Sequence, residues 1–572
     1  LSILIFMKNL KVQFKLIIFF LIFLNFFNFL SAKNTDKFSN SKDLSNYFSG
    51  IIAIKDNQYQ NSYRYLKSLN NLEESHYSYS QYYLYSLVTL QKFKEAGNYS
   101  RELERKKLDS FESNLVSAIY HLKNENLIKA KFYLEKLKTQ NKPGSIKNLV
   151  STSLNSWSNF KNINSALSSL ESMPNSFKNI KDIQKVFTHC YFDSNQTDEV
   201  FKKLTTDSKI NYSRYYFFHA NYLISKGKEK KGKEVLESSL NLHPTNLILN
   251  QLQTNLSQKQ TTTNNKFDCR KTNHVIAEIL YIIANGLSSR TNYVVSNFYL
   301  NLAKYLNPDF LSFDTLYAEN FEAIKKYSEA KKIYKKIKKI GSNYDWHSSK
   351  RISFILKEQG KKNEAIDHLK NSFLNIKNPN VYEIFEYAVF LKNNEQYQNS
   401  IKYYSDVIAL INKEHNLYAQ AVDGRGVAYE RTNQWDKAEI DLLDSLSVSP
   451  EDAYVINYLA YSWIEKGINI EKSLEMLKKA NQLRPNDGYI IDSLGWALFK
   501  LKRYKEAKKY MELAVRFMSS DPVINDHFAD VLWMNNNSLQ ARYYWNYVLK
   551  LKKTEEKLKK EIKHKLLFGL KS

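Results

Sequence analysis

The chain has 572 residues, with 84 Lys+Arg against 58 Asp+Glu for a formal charge of +26, and it is 43% hydrophobic and 14% aromatic. Its 14 Gly and 8 Pro are too few for a disordered, collagenous or loop-rich β chain, and 2 Cys exclude a disulfide scaffold. A helical architecture is therefore expected, and the basic excess raises an acid, a nucleic acid or a membrane surface as partner.

The first element is a leader. From Met7, Lys8, Lys11 and Lys15 precede an apolar run, Leu16 to Leu24, that continues to Leu30; Ser31 and Ala32 follow, and Lys33 to Asp36 are polar. This is the basic, apolar, small-residue order of a secretory signal, and its length also suits an uncleaved N-terminal anchor. Residues 1–32 are accordingly expected to export the remainder, leaving it periplasmic, or periplasm-facing and anchored to the inner membrane. No Cys adjoins the cut, so a lipid anchor is not expected. Export removes nucleic acid as the explanation of the charge.

Beyond the leader the chain repeats. A mostly small residue recurs at Ser62, Ala96, Ala130, Ala166, Val200 and Gly232, then at Ser296, Ala330, Ala365, Ser400, Ala438, Ser473, Ala507 and Ala541, at steps of 32 to 38 residues. About twelve residues earlier runs a second small series that includes Gly50, Ala118, Ala220, Ala388, Gly426, Gly495 and Ala529. Four residues after the first lies a large apolar series such as Leu66, Leu134, Tyr334, Tyr404, Met511 and Trp545. Two small residues about twelve apart with a large one beyond predict antiparallel helices that close on one another where the small residues meet. All eight prolines fall between units, and Gly227, Gly360 and Gly467 fall between the two helices of a unit, where a left-handed residue ends a helix.

Segments such as Asp492-Ser-Leu-Gly-Trp-Ala-Leu-Phe with Tyr504, Ala507 and Met511, and Ala421-Val-Asp-Gly-Arg-Gly-Val-Ala-Tyr with Trp435, Ala438 and Pro450, resemble the tetratricopeptide repeat over almost all of residues 43 to 555. The carboxy-terminal third is similar to exported repeat proteins of bacterial envelopes. The resemblance implies an all-α, right-handed superhelical solenoid of about fourteen helix pairs. It divides into a divergent array at 43–250, a polar interruption or degenerate repeat at 251–274, a second array at 275–555 and a capping helix at 556–572. In the divergent array Leu84 and Leu154 replace the first small residue and Ser100 replaces the large one. The interruption, containing Gln260-Thr-Thr-Thr-Asn-Asn, is expected to act as a bend or hinge.

Nothing in the sequence points to catalysis, a metal or a cofactor. The eleven histidines are scattered, and there is no Gly-x-Ser-x-Gly elbow. Gly227 to Lys233 has phosphate-loop spacing, but Glu234 stands where Ser or Thr should hold magnesium, and both glycines already have packing roles. Cys190 and Cys269 either pair or remain free thiols.

A groove is the remaining candidate. In the resembled family the concave face is lined by first-helix positions, here Asp423; Tyr454, Asn457 and Tyr461; Tyr489, Asp492, Trp496 and Phe499; and Asp526, Asp530 and Trp533. Exposed aromatics beside polar groups suit capture of a peptide or helix, and the acidic ladder favours a neutral or basic one. Residues 413–530 hold 16 Lys+Arg and 19 Asp+Glu, a net of −3. The basic excess lies in Lys325–Lys339, with eight lysines, and Lys550–Lys571, with nine. The first reads as a solvated second-helix face. The second reads as a cap with Leu558, Ile562, Leu566 and Leu567 inward and lysines outward, and attachment to anionic lipid or an acidic polymer is the alternative. The expected function is a non-enzymatic scaffold for envelope proteins, with a factor in peptidoglycan or polysaccharide assembly or export as the rival. The N-terminal segment is the candidate for membrane association.

Overall fold

The computed structural model describes residues 41–69, 72–74, 76–140, 142, 144–158, 160–206, 210–258 and 265–570; the leader, Gln260 to Asn264 and Pro143 lie outside the described residues. Among the described residues there are thirty α-helices and no strand, with one isolated bridge between Asn265 and Phe310.

Two compact units divide between Glu358 and Gln359. The first holds α1 Ser41–Lys55, α2 Tyr59–Lys67, α3 Tyr77–Thr89, α4 Phe93–Arg105, α5 Phe111–Lys123, α6 Leu127–Thr139, α7 Ile146–Ser158, α8 Ile163–Glu171 and α9 Lys178–Tyr191. It continues with α10 Thr197–Thr205, α11 Ser213–Ser225, α12 Glu229–Leu242, α13 Leu247–Ser257, α14 Thr272–Ser288, α15 Tyr293–Leu306, α16 Phe313–Ala323, α17 Tyr327–Ile337 and α18 Ser342–Glu358. The second holds α19 Lys362–Leu374, α20 Val381–Asn393, α21 Tyr397–Leu410, α22 Tyr418–Arg431, α23 Trp435–Val448 and α24 Ala453–Lys466. It ends with α25 Ile470–Leu483, α26 Gly488–Lys500, α27 Tyr504–Phe517, α28 Pro522–Met534, α29 Ser538–Lys550 and α30 Glu556–Phe568.

The three ladders make these helices pair. Ala96, Ala330, Ala438, Ala507 and Ala541 are wholly buried, as are Ala118, Ala388, Ala460 and Ala529 on the partner helices and Leu134, Tyr404, Leu477, Met511 and Trp545 beside them. The departures keep the register, because Leu84 and Leu154 are wholly buried and Ser100 nearly so. A small side chain lets two backbones approach, and the large residue one turn further fills the space that opens beyond. Gly50 shows the tolerance: a Cβ there would overlap the Leu66 side chain at 2.5 Å.

The turn inside most pairs is short and needs one left-handed residue. Gly227 and Gly467 supply it at φ 74° and 71°, while Asn57, Gln91, Glu125, Asp193, Asn433, Lys502 and Asn536 supply it elsewhere at φ between 53° and 61°. Those non-glycine turns cost on the order of 1 kcal/mol each, and the pairing recovers it.

In the first unit the surface of the first helices is filled by the chain itself. The pair α14–α15 packs on the first helices of earlier pairs, α15 against α3 and α5, and α14 against α7 and α9. Asn297 Nδ2 donates to the Tyr59 hydroxyl at 3.0 Å, and Phe298 meets Tyr85 at 4.6 Å between ring centroids. Phe93 and Tyr305 stack at 3.9 Å.

The described parts of the interruption, residues 251–258 and 265–274, are packed on both sides. Cys190 on α9 and Cys269 form a disulfide with Cα atoms 5.9 Å apart. The segment that carries Cys269 buries Phe267 against Phe187, Phe218 and Phe310. On its other side α13 packs on α11 and α12 and also on α18, where the Asn343 backbone donates to Gln251 at 3.1 Å.

Arg214 on α11 joins these parts electrostatically. Its Nε and Nη2 donate to both oxygens of Glu278 on α14 at 2.7 and 2.8 Å, with the guanidinium 4.2 Å from the Tyr281 ring. Burial pushes the Glu278 carboxyl up, and Arg214 opposes it. Glu278→Ala leaves that guanidinium buried without its partner, and a loss of about 3–5 kcal/mol is expected. Urea unfolding followed by far-UV circular dichroism measures it; the paired variant Arg214→Met with Glu278→Leu should recover most of the loss.

Candidate functional site

In the second unit the first helices α22, α24, α26 and α28 carry the predicted ladder at one rung per repeat, and the rungs differ in what satisfies them.

The last rung is occupied. Asp526 and Asp530, one turn apart on α28, are 6% and 4% exposed, and Lys565 of α30 places its Nζ 2.8 Å from Asp526 and 2.7 Å from Asp530. Trp545 Nε1 donates to Asp530 at 3.0 Å. Trp533 is covered by the backbone at Gly569, where φ is 71° and a Cβ would strike the indole. The cap is thus rotated from the sequence expectation. Ile562 is wholly buried and Leu558 and Leu566 pack on the same core, but Leu567 is 73% exposed and Lys565 points inward. Two buried carboxylates without a cation would cost several kcal/mol, which outweighs solvating one leucine.

The middle rung is closed by a side chain that sequence reasoning passed over. His527 Nδ1 lies 3.0 Å from Asp492, and its ring stacks on Trp496 at 3.9 Å. Trp496 in turn stacks on Phe499 at 4.6 Å and donates its Nε1 to Glu465 at 2.7 Å. The expected exposed anchor Trp496 is therefore buried and already engaged. Burial pulls the His527 imidazole down, but Asp492, Asp526 and Asp530 outweigh it and hold its pKa above the usual value. Burial and then Asp526 push Asp530 up to about 6, against Lys565 and His527.

The earlier rungs are open. Asp423 on α22 makes no hydrogen bond or ion pair among the described residues, and burial raises its carboxyl to about 6 against the pull of Lys392. Asn457 on α24 has a buried side-chain oxygen with no hydrogen-bond partner. Tyr454 and Tyr461 share α24 with Asn457; Tyr454 is 58% exposed and Tyr461 half-buried, and Tyr489 on α26 is 52% exposed. Acceptors without an internal partner are the groups of this ladder that a cation or an N–H from another chain could satisfy.

Other sequence candidates resolve structurally. Gly232 packs under Ile224, where a Cβ would lie 2.6 Å away, and Gly227 is the turn residue. No group of three or more His, Cys, Asp or Glu side chains that could hold a metal occurs among the described residues. No helix among them is long and apolar enough to cross a membrane. The lysines of 325–339 are more than a solvated face, because Lys336 pairs with Asp314 at 2.7 Å and Lys338 with Asp345 at 2.9 Å.

The family model for the tetratricopeptide repeat matches residues 491–517, the α26–α27 pair. The same pair of helices, with the same three buried ladders, recurs along the chain. The α26–α27 pair is a tetratricopeptide repeat by that match. It is 25% identical over 129 residues to the "TPR repeat-containing protein PA4667" of Pseudomonas aeruginosa, a stretch that covers 23% of this chain and 21% of that relative. The chain thus spans about a fifth of the length of the curated relative it matches. Among solved structures, a thermophilic TPR protein of Thermus thermophilus, TTC0263, is 14% identical and aligns over 33% of this chain and 100% of that one at a TM-score of 0.29. Pseudomonas aeruginosa pilF is 17% identical over 33% of this chain and 87% of its own, at a TM-score of 0.28.

His527 and Asp530 both hold protons more tightly folded than unfolded, so their contribution to stability falls as pH rises, for Asp530 from about 3.8 to about 6 and for His527 above 6.5. The unfolding midpoint of the protein is expected to drop less between pH 5 and pH 8 in His527→Gln than in the parent, read by thermal circular dichroism at matched ionic strength. Equal slopes would remove His527 from the account.

Proposed function

We propose that the protein is a non-enzymatic scaffold of the bacterial envelope whose second unit captures a basic or neutral segment of another envelope protein. Tetratricopeptide repeat proteins mediate protein–protein interactions, and the family and fold are typically non-catalytic. The observation that carries the reading is the contrast along one ladder. Asp492 is closed by His527 and Asp526 by Lys565, whereas Asp423 and Asn457 keep unmet acceptors.

The mechanism follows from that contrast. A partner segment lays a cationic or amide side chain toward Asp423 and Asn457, and the exposed faces of Tyr454 and Tyr489 cover its apolar part. Desolvated carboxylates gain most from a positive partner, so an acidic segment is rejected. An envelope location is supported by the basic, apolar, small-residue order of residues 1–32 and by the Cys190–Cys269 disulfide, a bond that persists in oxidising compartments.

Photo-crosslinkers placed at Tyr454 and Tyr489 in the native host are expected to trap the same envelope protein. Asp423→Asn combined with Asn457→Leu should reduce that capture at least tenfold without moving the unfolding midpoint. Capture undiminished by the double variant would place the site elsewhere.

A further inference from the structure

The first unit contains a cavity of about 930 Å³ that the groove reading leaves unused. It lies where the turn between α1 and α2 and the end of α3 face α15, α16 and α17, so residues some 240 positions apart in sequence form its two walls.

One wall is cationic. Lys304, Lys326, Lys332 and Lys336 line it, and the acids beside them are Asp314 and Glu329. Lys304 and Lys336 share the single carboxylate of Asp314 at 2.5 and 2.7 Å, which leaves this cluster one positive charge in excess. Lys304 is 12%, Asp314 2% and Lys336 52% exposed, so a buried ion pair carries a second, solvent-facing cation at the cavity wall. A second cavity of about 280 Å³ adjoins through the same Lys304, Asp314 and Lys336 and adds Lys123.

The opposite wall is made of amides. Asn57, Gln58, Gln60, Asn61 and Gln91 line it. The buried hydroxyl of Thr89, also on this wall, has no hydrogen-bond partner. Tyr317 and Phe321 also line the cavity, with Lys304 4.4 Å from the Tyr317 centroid.

We infer that this cavity binds an acidic oligosaccharide: the lysines take its carboxylates, the amides and Thr89 take its hydroxyls, and the aromatic rings take the apolar face of a sugar. A small inorganic anion would use only the lysine wall, and an acidic peptide would leave the dense amide wall poorly matched. The inference does not depend on the groove of the second unit.

Isothermal titration of the purified chain at 50 mM salt tests it with three probes of equal length: a tetramer of galacturonate, maltotetraose and tetra-aspartate. The galacturonate tetramer is expected to bind one site at least tenfold more tightly than either of the others. Lys326→Gln with Lys332→Gln should weaken it at least tenfold while the unfolding midpoint stays in place, and the Asp423→Asn, Asn457→Leu variant should bind it like the parent. Equal binding of maltotetraose, equal or tighter binding of tetra-aspartate, or an unchanged affinity in the lysine variant would each overturn the inference.

Discussion

The structure depends on the close contact of two helices at a row of small side chains. Where Gly426 meets the Ala438 backbone a Cβ would already be tight, and Leu442 there, like Met511 over Gly495, seals the contact. Everything else in a repeat is set by that contact. It fixes which face of the first helix turns inward and forces a short turn with one left-handed residue, even where that residue is Lys502 or Glu125. Stability in such an array is a sum of neighbour interfaces, so a repeated inward-facing position can be reassigned locally without loss of the fold.

The chain uses that freedom in two ways. In the first unit it turns one of its own helix pairs, α14–α15, into the occupant of the surface made by α3, α5, α7 and α9, and fastens it with Arg214–Glu278 and the Cys190–Cys269 disulfide. In the second unit it closes the acidic ladder from the carboxy-terminal end, with Lys565 over Asp526 and Asp530 and His527 over Asp492. Along the ladder, Asp423 and Asn457 are left without such a partner in the second unit, and in the first Lys304 and Lys336 share the one carboxylate of Asp314. The charge of +26 is thus unevenly distributed. Part of it neutralises buried acids, and part lines a cavity.

The helix pairs are legible in the sequence because their cause is periodic. A small residue every 34 or so positions marks the contact, and even the divergent Leu84 and Leu154 fall in register. Individual occupants are not legible in the same way. His527 pairs with a residue 35 positions back, and whether two such residues touch depends on how neighbouring repeats are rotated, which no spacing encodes. The rotation of α30 escapes the sequence because its leucines outnumber the one lysine that decides it. The α14–α15 contacts join residues far apart in sequence, 238 positions between Asn297 and Tyr59, and such contacts have no period. The disulfide stays open in the sequence for the same reason: a separation of 79 residues says nothing until the fold brings the two Cα atoms to 5.9 Å.

The central claim is that the first-helix surface is filled by the chain itself at α3, α5, α7 and α9, closed by side chains at α26 and α28, and open around α22 and α24. Hydrogen–deuterium exchange of the full chain, with and without its captured partner segment, tests it most directly. Protection gained in α22, α24 and the start of α26, with α28 and α3 to α9 unchanged, is the predicted result. Protection gained in α28, or in α3 to α9, would contradict the account, because those surfaces would then have been free to receive a partner.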